Sequence, residues 1–220
     1  MKENEVIVKR QAVQTRFKNQ DMDFTFNWFV GISQLFGLSA SQIFYAVKDI
    51  RDGNASDWRK GFVAMAVAQL RCVPEDNPVL AGEAYLSAAY AYRAALQYTS
   101  PRVPEFATWV QAMETAFQKG VTLLNVPIRA IEVPFEGKLL AGYYLEHDAT
   151  PRPLLLMVGG SDTFREDLFP FAGYPGWKRG YNVLMVDSPP RATRRHVVCT
   201  SVPTWQSQSR RCSIGWTITQ

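Results

Sequence analysis

The sequence predicts an α/β protein in which an N-terminal helical module precedes a mixed sheet. The sheet is an antiparallel hairpin plus a strand–helix–strand parallel pair. Three observations carry this. Apolar residues recur at spacings of three and four between residues 20 and 124. From Pro127 the period changes to two. Between Pro153 and Asp187 two short, continuous apolar runs flank a longer mixed segment, the pattern of parallel strands joined by a crossover helix.

Residues 1–20 are charged and aperiodic and read as a loose arm. The first helix carries Phe24, Trp28, Phe29, Ile32, Leu35 and Phe36, and Gly37 stops it. Ser39 is placed to cap a second helix with Ile43, Phe44, Val47 and Ile50, and Asp52-Gly53-Asn54 makes a turn. Asp57 is expected to cap a third helix bearing Trp58, Phe62, Met65 and Leu70. After Pro74–Pro78 comes an Ala- and Tyr-rich helix. Its small residues Ala84, Ala88, Ala89 and Ala95 permit close packing, with Tyr85, Tyr90 and Tyr92 filling the gaps. Glu105–Leu124 is a further helix with Phe106, Trp109, Met113, Phe117 and Leu123 near one face. The aromatic stripes read first as core packing and second as pocket lining.

In the sheet region, Ile128–Phe135 and Lys138–Glu146 alternate about a turn at Glu136-Gly137. Leu154–Val158 forms the next strand and stops at Gly159-Gly160. A helix of about a dozen residues follows, and Val183–Val186 is the last strand. In parallel sheets ligands gather at the carboxyl ends of strands, here Gly159–Thr163 and the residues after Asp187.

Composition bounds the function. At 220 residues, 47% hydrophobic and 13% aromatic, the chain suits a packed globular protein. It lacks a long apolar run and an N-terminal apolar core, so neither a membrane partner nor a signal peptide is expected, and a cytoplasmic location is. Cys72, Cys199 and Cys212 match no metal or disulfide pattern. The net charge of +4 is local. Residues 188–220 hold five Arg and no acid, leaving 19 basic against 20 acidic residues elsewhere, so no nucleic-acid partner is expected.

The helix around Ala81–Tyr98, the strand pair "VPFEGKLLAGYYL", and the segments "RPLLLMVGGSDTFRED" and "GWKRGYNVLMVD" resemble the α/β-hydrolase superfamily. They are similar to its bacterial branch with an N-terminal helical domain, which includes dihydroxy-pseudooxynicotine hydrolase-like and fermentation–respiration switch esterase-like proteins. The resemblance covers roughly residues 20–187. It implies a helical, cap-like domain at 21–125 and the N-terminal part of a hydrolase domain at 126–187. It also implies a serine hydrolase acting without a cofactor on a small organic ester, amide or activated C–C bond. In that fold backbone N–H groups after the third strand stabilise the tetrahedral oxyanion. The resemblance therefore makes Gly159, Gly160, Ser161 and Asp162 the oxyanion-hole candidates, with Glu166 a candidate accessory group. Read locally, the same residues are an ordinary strand-to-helix turn capped by Asp162 or Thr163. Glu166 and Asp167 then read as first-turn acids favoured by the helix dipole.

The nucleophile of that fold sits in G-x-S-x-G, followed by an acid and a histidine. The 220 residues contain no such motif, and the only histidines are His147 and His196. No metal ligands are expected. Residues 188–220 also change character: ten of 33 are Ser or Thr, and Leu, Phe and acids are missing. Rereading this stretch with the last base of each codon joined to the first two of the next forces Ala at Trp205–Gln206 and Asp at Trp216–Thr217. The same reading permits a loop followed by an apolar-faced helix. The sequence thus leads us to expect a shifted frame after Asp187, a sheet ending before the nucleophile strand, and an inactive chain. Val183–Val186 is expected at an open edge inviting self-association. The competing class is a non-catalytic interaction protein using the helical module; a nucleotide-binding domain is disfavoured because Gly159-Gly160 is too short for a phosphate loop.

Overall fold

A computed structural model describes residues 13–33, 39–74, 76–148, 150–160 and 162–188. The expectations on Leu35, Phe36, Gly37, Ser161, His196, Cys199, Cys212 and the tail beyond Ser188 lie outside the described residues. Five helices come first: α1 (Gln20–Ser33), α2 (Ala40–Ala46), α3 (Ala55–Arg71), α4 (Pro78–Gln97) and α5 (Pro104–Leu123). Strands β1 (Ile128–Phe135), β2 (Lys138–Leu145) and β3 (Leu154–Val158) follow, then α6 (Arg165–Leu168), α7 (Tyr174–Lys178) and β4 (Asn182–Val186).

The helix predicted between the last two strands is broken. A π-helical turn, Phe169–Gly173, separates α6 from α7. Pro170 and Pro175 each lack an N–H to give to an unbroken α-helical ladder. At Gly173 a Cβ would lie 2.4 Å from the Met185 sulfur, so the chain here runs directly against β4.

Residues 13–19 are fastened, not loose. The buried Asp23 carboxylate accepts the N–H groups of Thr15, Arg16 and Phe17 at 2.8–3.0 Å. Phe17 is buried against Phe26 and Trp58. Arg16 donates to the carbonyls of Val47, Lys48 and Ile50. Asn54, not Asp57, caps α3 by accepting the Asp57 N–H at 3.0 Å. Asp57 instead pairs with Arg51 at 2.6 Å.

The helical core forms where the Ala-rich face of α4 meets α3 and α5. Trp58, Phe62, Leu86, Met113 and Phe117 are fully buried, and Trp58 donates its indole N–H to the Ala94 carbonyl at 2.8 Å. Glycines let α4 and α5 approach closely. A Cβ on Gly120 would sit 2.9 Å from the Gly82 carbonyl, and one on Gly82 would sit 3.1 Å from that of Gly120.

The sheet runs β1-β2-β4-β3, antiparallel except for the parallel β3–β4 pair. Glu136 and Gly137 both have positive φ, 46° and 74°, the conformation a tight two-residue hairpin demands. This order corrects the expected place of the last strand. Strand β4 is interior, so Val183–Val186 are buried between β2 and β3 and form no open edge. Among the described residues β1 and β3 are the edge strands, and β3 is covered on one face: Leu154, Leu156 and Val158 face outward, while Leu155 and Met157 pack inward. A continuous apolar run does not by itself reveal which strand lies at the centre.

Candidate active site

The carboxyl ends of β3 and β4 lie side by side and carry the Gly159–Thr163 turn and the pair Asp187–Ser188. Neither glycine of the turn has positive φ. Gly159 is required for packing, since a Cβ there would meet the Thr163 side chain at 2.8 Å. Gly160 is exposed, and a Cβ there would come no closer than 3.5 Å to Thr163 Oγ1, so a ligand can approach its backbone. The Thr163 N–H donates to the Gly160 carbonyl at 3.2 Å and closes the turn. Ser188 Oγ also donates to the Gly160 carbonyl, at 3.3 Å.

Helix α6 begins just after Phe164, so neither Asp162 nor Thr163 is its cap. The cap comes from inside the helix: Asp167 Oδ2 accepts the Phe164 N–H at 2.9 Å. Its acids are far from solvated first-turn charges. Glu166 and Asp167 are each 1% exposed. Arg93 of α4 places its Nε 2.8 and 2.9 Å from the two Asp167 oxygens. Burial pushes the Asp167 carboxyl above its usual range, against the pull of the Arg93 guanidinium.

Glu166 Oε1 accepts the Tyr143 hydroxyl at 2.8 Å and Arg165 Nε at 3.1 Å. Arg165 also reaches Glu114 of α5 at 3.3 Å, and its guanidinium lies over the Tyr143 ring. The Arg165 N–H donates to Asp187 Oδ1 at 2.9 Å. Burial, together with the neighbouring Glu166 charge, raises the Tyr143 hydroxyl well above an ordinary tyrosine. The Tyr90 hydroxyl donates to the Glu166 carbonyl at 3.0 Å and is likewise raised, chiefly by burial. The structure thus brings Gly159, Gly160, Asp162 and Glu166 to one end of the sheet and supports them with Arg93, Tyr143, Arg165, Asp187 and Ser188. Ser161 is the candidate that is not described.

Sequence reasoning missed Arg93 and Tyr143. An arginine inside the Ala- and Tyr-rich run Ala88–Leu96 was the available signal, since such a charge is buried only with a partner. His147 is no site residue: it stacks on Trp177 at 5.2 Å, away from the turn. Clefts of about 680 and 800 Å³ flank α3 on the helical module and include no residue of the strand ends. Among the described residues no cluster of His, Cys, Asp and Glu is arranged to hold a metal, and no helix is long and apolar enough to cross a membrane.

Residues 38–202 match the family "Esterase FrsA-like". Curated relatives include hydrolase LUC6 of a Fusarium species, 26% identical over 79% of this chain, and hydrolase ORFZ of Pyricularia oryzae, 28% identical over 79%. The 20-hydroxy-prefusarin hydrolase FUS2 of Gibberella moniliformis is 27% identical over 79%. The chain spans 44% of the length of each of these three. Among solved structures, 2,6-dihydroxy-pseudo-oxynicotine hydrolase superposes with a TM-score of 0.54 at 23% identity, over 72% of this chain and 45% of its own. Wild-type AbyA5 does so with a TM-score of 0.53 at 16% identity, over 79% of this chain and 47% of its own. These likenesses show the fold.

Proposed function

The chain belongs to the FrsA-like esterase family of α/β-hydrolases, and from that premise we propose that it supplies the oxyanion wall of a serine hydrolase. The substrate class is a small organic ester, amide or activated C–C bond. The relatives are hydrolases, which supports a small-molecule substrate. The observation that carries the reading is the exposed Gly160 backbone at the end of β3, beside Asp187–Ser188 at the end of β4. In the intact reaction a serine attacks the carbonyl carbon, and the carbonyl oxygen takes up the negative charge. Backbone N–H groups of the turn then stabilise that oxygen. Thr163 is excluded as a donor because its N–H is used within the turn, which leaves Gly159, Gly160 and Asp162 among the described residues. Glu166 acts from beneath as an accessory group, holding Tyr143 and Arg165 in place.

The proposal extends to the chain itself. These 220 residues contain no G-x-S-x-G, and we propose that on their own they offer donors for an oxyanion without turning substrate over. The stretch after Asp187 is read in a shifted frame. The outer side of β3, which pairs with no strand among the described residues, promotes self-association. The coding DNA tests the frame. After codon 187, the shifted reading should encode a loop, an apolar-faced helix and, further on, G-x-S-x-G. A stop codon or a polar, aperiodic reading there overturns it. The family match runs to residue 202 in the frame as given, which weighs against a shift directly after Asp187, so codons 188–202 are the decisive ones.

A further inference from the structure

We propose that Arg93 is a positioning residue through which the helical module sets the shape of the oxyanion turn. Arg93 is 3% exposed on α4, and its side chain reaches across to α6 and the turn before it. Nε lies 2.8–2.9 Å from both Asp167 oxygens, Nη1 donates to Gln97 Oε1 at 3.0 Å, and Nη2 donates to the Asp162 carbonyl at 3.1 Å. Trp28 and Phe164 lie against the guanidinium, their ring centres 5.3 and 5.0 Å from Cζ. One planar group therefore grips the backbone of the turn and the cap of the helix that follows it. A lysine ammonium is a point charge without this fork and cannot reproduce all of these bonds.

The consequence for the turn follows from peptide geometry. In a trans peptide the C=O and the next N–H point in opposite directions. Holding the Asp162 carbonyl on Arg93 aims the Thr163 N–H back at the Gly160 carbonyl, 3.2 Å away. The Gly160 carbonyl is itself drawn toward Ser188. Both carbonyl dipoles are thus directed at protein donors. A site that stabilises an oxyanion needs this, because a carbonyl oxygen turned toward the developing charge repels it. The catalytic meaning rests on the proposed oxyanion reading; the grip on the turn does not.

The test is amide hydrogen exchange in the full 220-residue chain, comparing Thr163 with Val183–Met185 of β4. Arg93→Lys retains the charge beside Asp167 and loses the fork. Thr163 exchange is expected to accelerate about tenfold relative to β4, the equivalent of one hydrogen bond. The double variant Arg93→Met with Asp167→Asn removes both buried charges, while the introduced amide oxygen can still accept the Phe164 N–H. It should show the same relative acceleration. A purely structural role moves Thr163 and β4 together, so an unchanged ratio in both variants overturns the proposal. So does loss of β4 protection along with that of the turn. Exchange needs no turnover, so this outcome is independent of whether the hydrolase reading stands.

Discussion

Asp23 shows how one side chain can decide what a stretch of sequence does. Burial alone would raise its carboxyl, but the N–H groups of Phe17, Arg16 and Thr15 outweigh burial and hold it below the usual aspartate range. Losing it should cost about 2–3 kcal/mol, the scale of charge-assisted bonds to a buried carboxylate. Urea denaturation of Asp23→Ala measures that cost. A depressed pKa contributes stability that is present above the unfolded value of about 3.9 and is lost as pH falls through the folded one. Wild type should therefore lose stability below about pH 4 more steeply than Asp23→Asn, and parallel curves would contradict this. Tyr143→Phe removes the hydroxyl that Glu166 accepts and should destabilise by about 1–2 kcal/mol in the same assay. None of these bonds was legible in the sequence. An aspartate in the first turn of a helix looks like a dipole-favoured surface charge, and only the returning chain at residues 13–17 makes it a buried hub.

At the scale of elements, the sequence revealed the five N-terminal helices and the four strands, but not the break between α6 and α7 nor which strands are neighbours. Periodicity is a property of one segment, and it separated helical from extended stretches at Pro127. Which strand is central depends on what packs on both of its faces. Two similar runs, Leu154–Val158 and Val183–Val186, therefore ended with opposite exposures. The break between α6 and α7 was visible only as Pro170, Gly173 and Pro175. Two predictions belong here. Gly82→Ala or Gly120→Ala inserts a methyl where α4 and α5 are in backbone contact and should cost about 1–3 kcal/mol by thermal or urea unfolding. Leu156→Lys places a charge on the outward side of the edge strand. It should abolish the proposed concentration-dependent association in sedimentation velocity while leaving the monomer folded.

For the whole molecule, the helical module does more than cover the sheet. Through Arg93, Tyr90 and Glu114 it reaches α6 and the turn that precedes it, so the site is shared between the two parts of the fold. The fold class and the turn Gly159–Asp162 could be read from residue order and turn chemistry. The supports of the turn could not. Arg93 comes from α4, far earlier in the chain, and meets the turn only after folding. The central proposal is that these 220 residues supply an oxyanion wall and no activated serine. Incubation with a fluorophosphonate, which bonds covalently to activated serines, tests it most directly, followed by intact-mass analysis and an assay on short acyl nitrophenyl esters. The account predicts no mass increase and hydrolysis equal to buffer. Stoichiometric labelling of any serine, with turnover that its alanine variant loses, would contradict it.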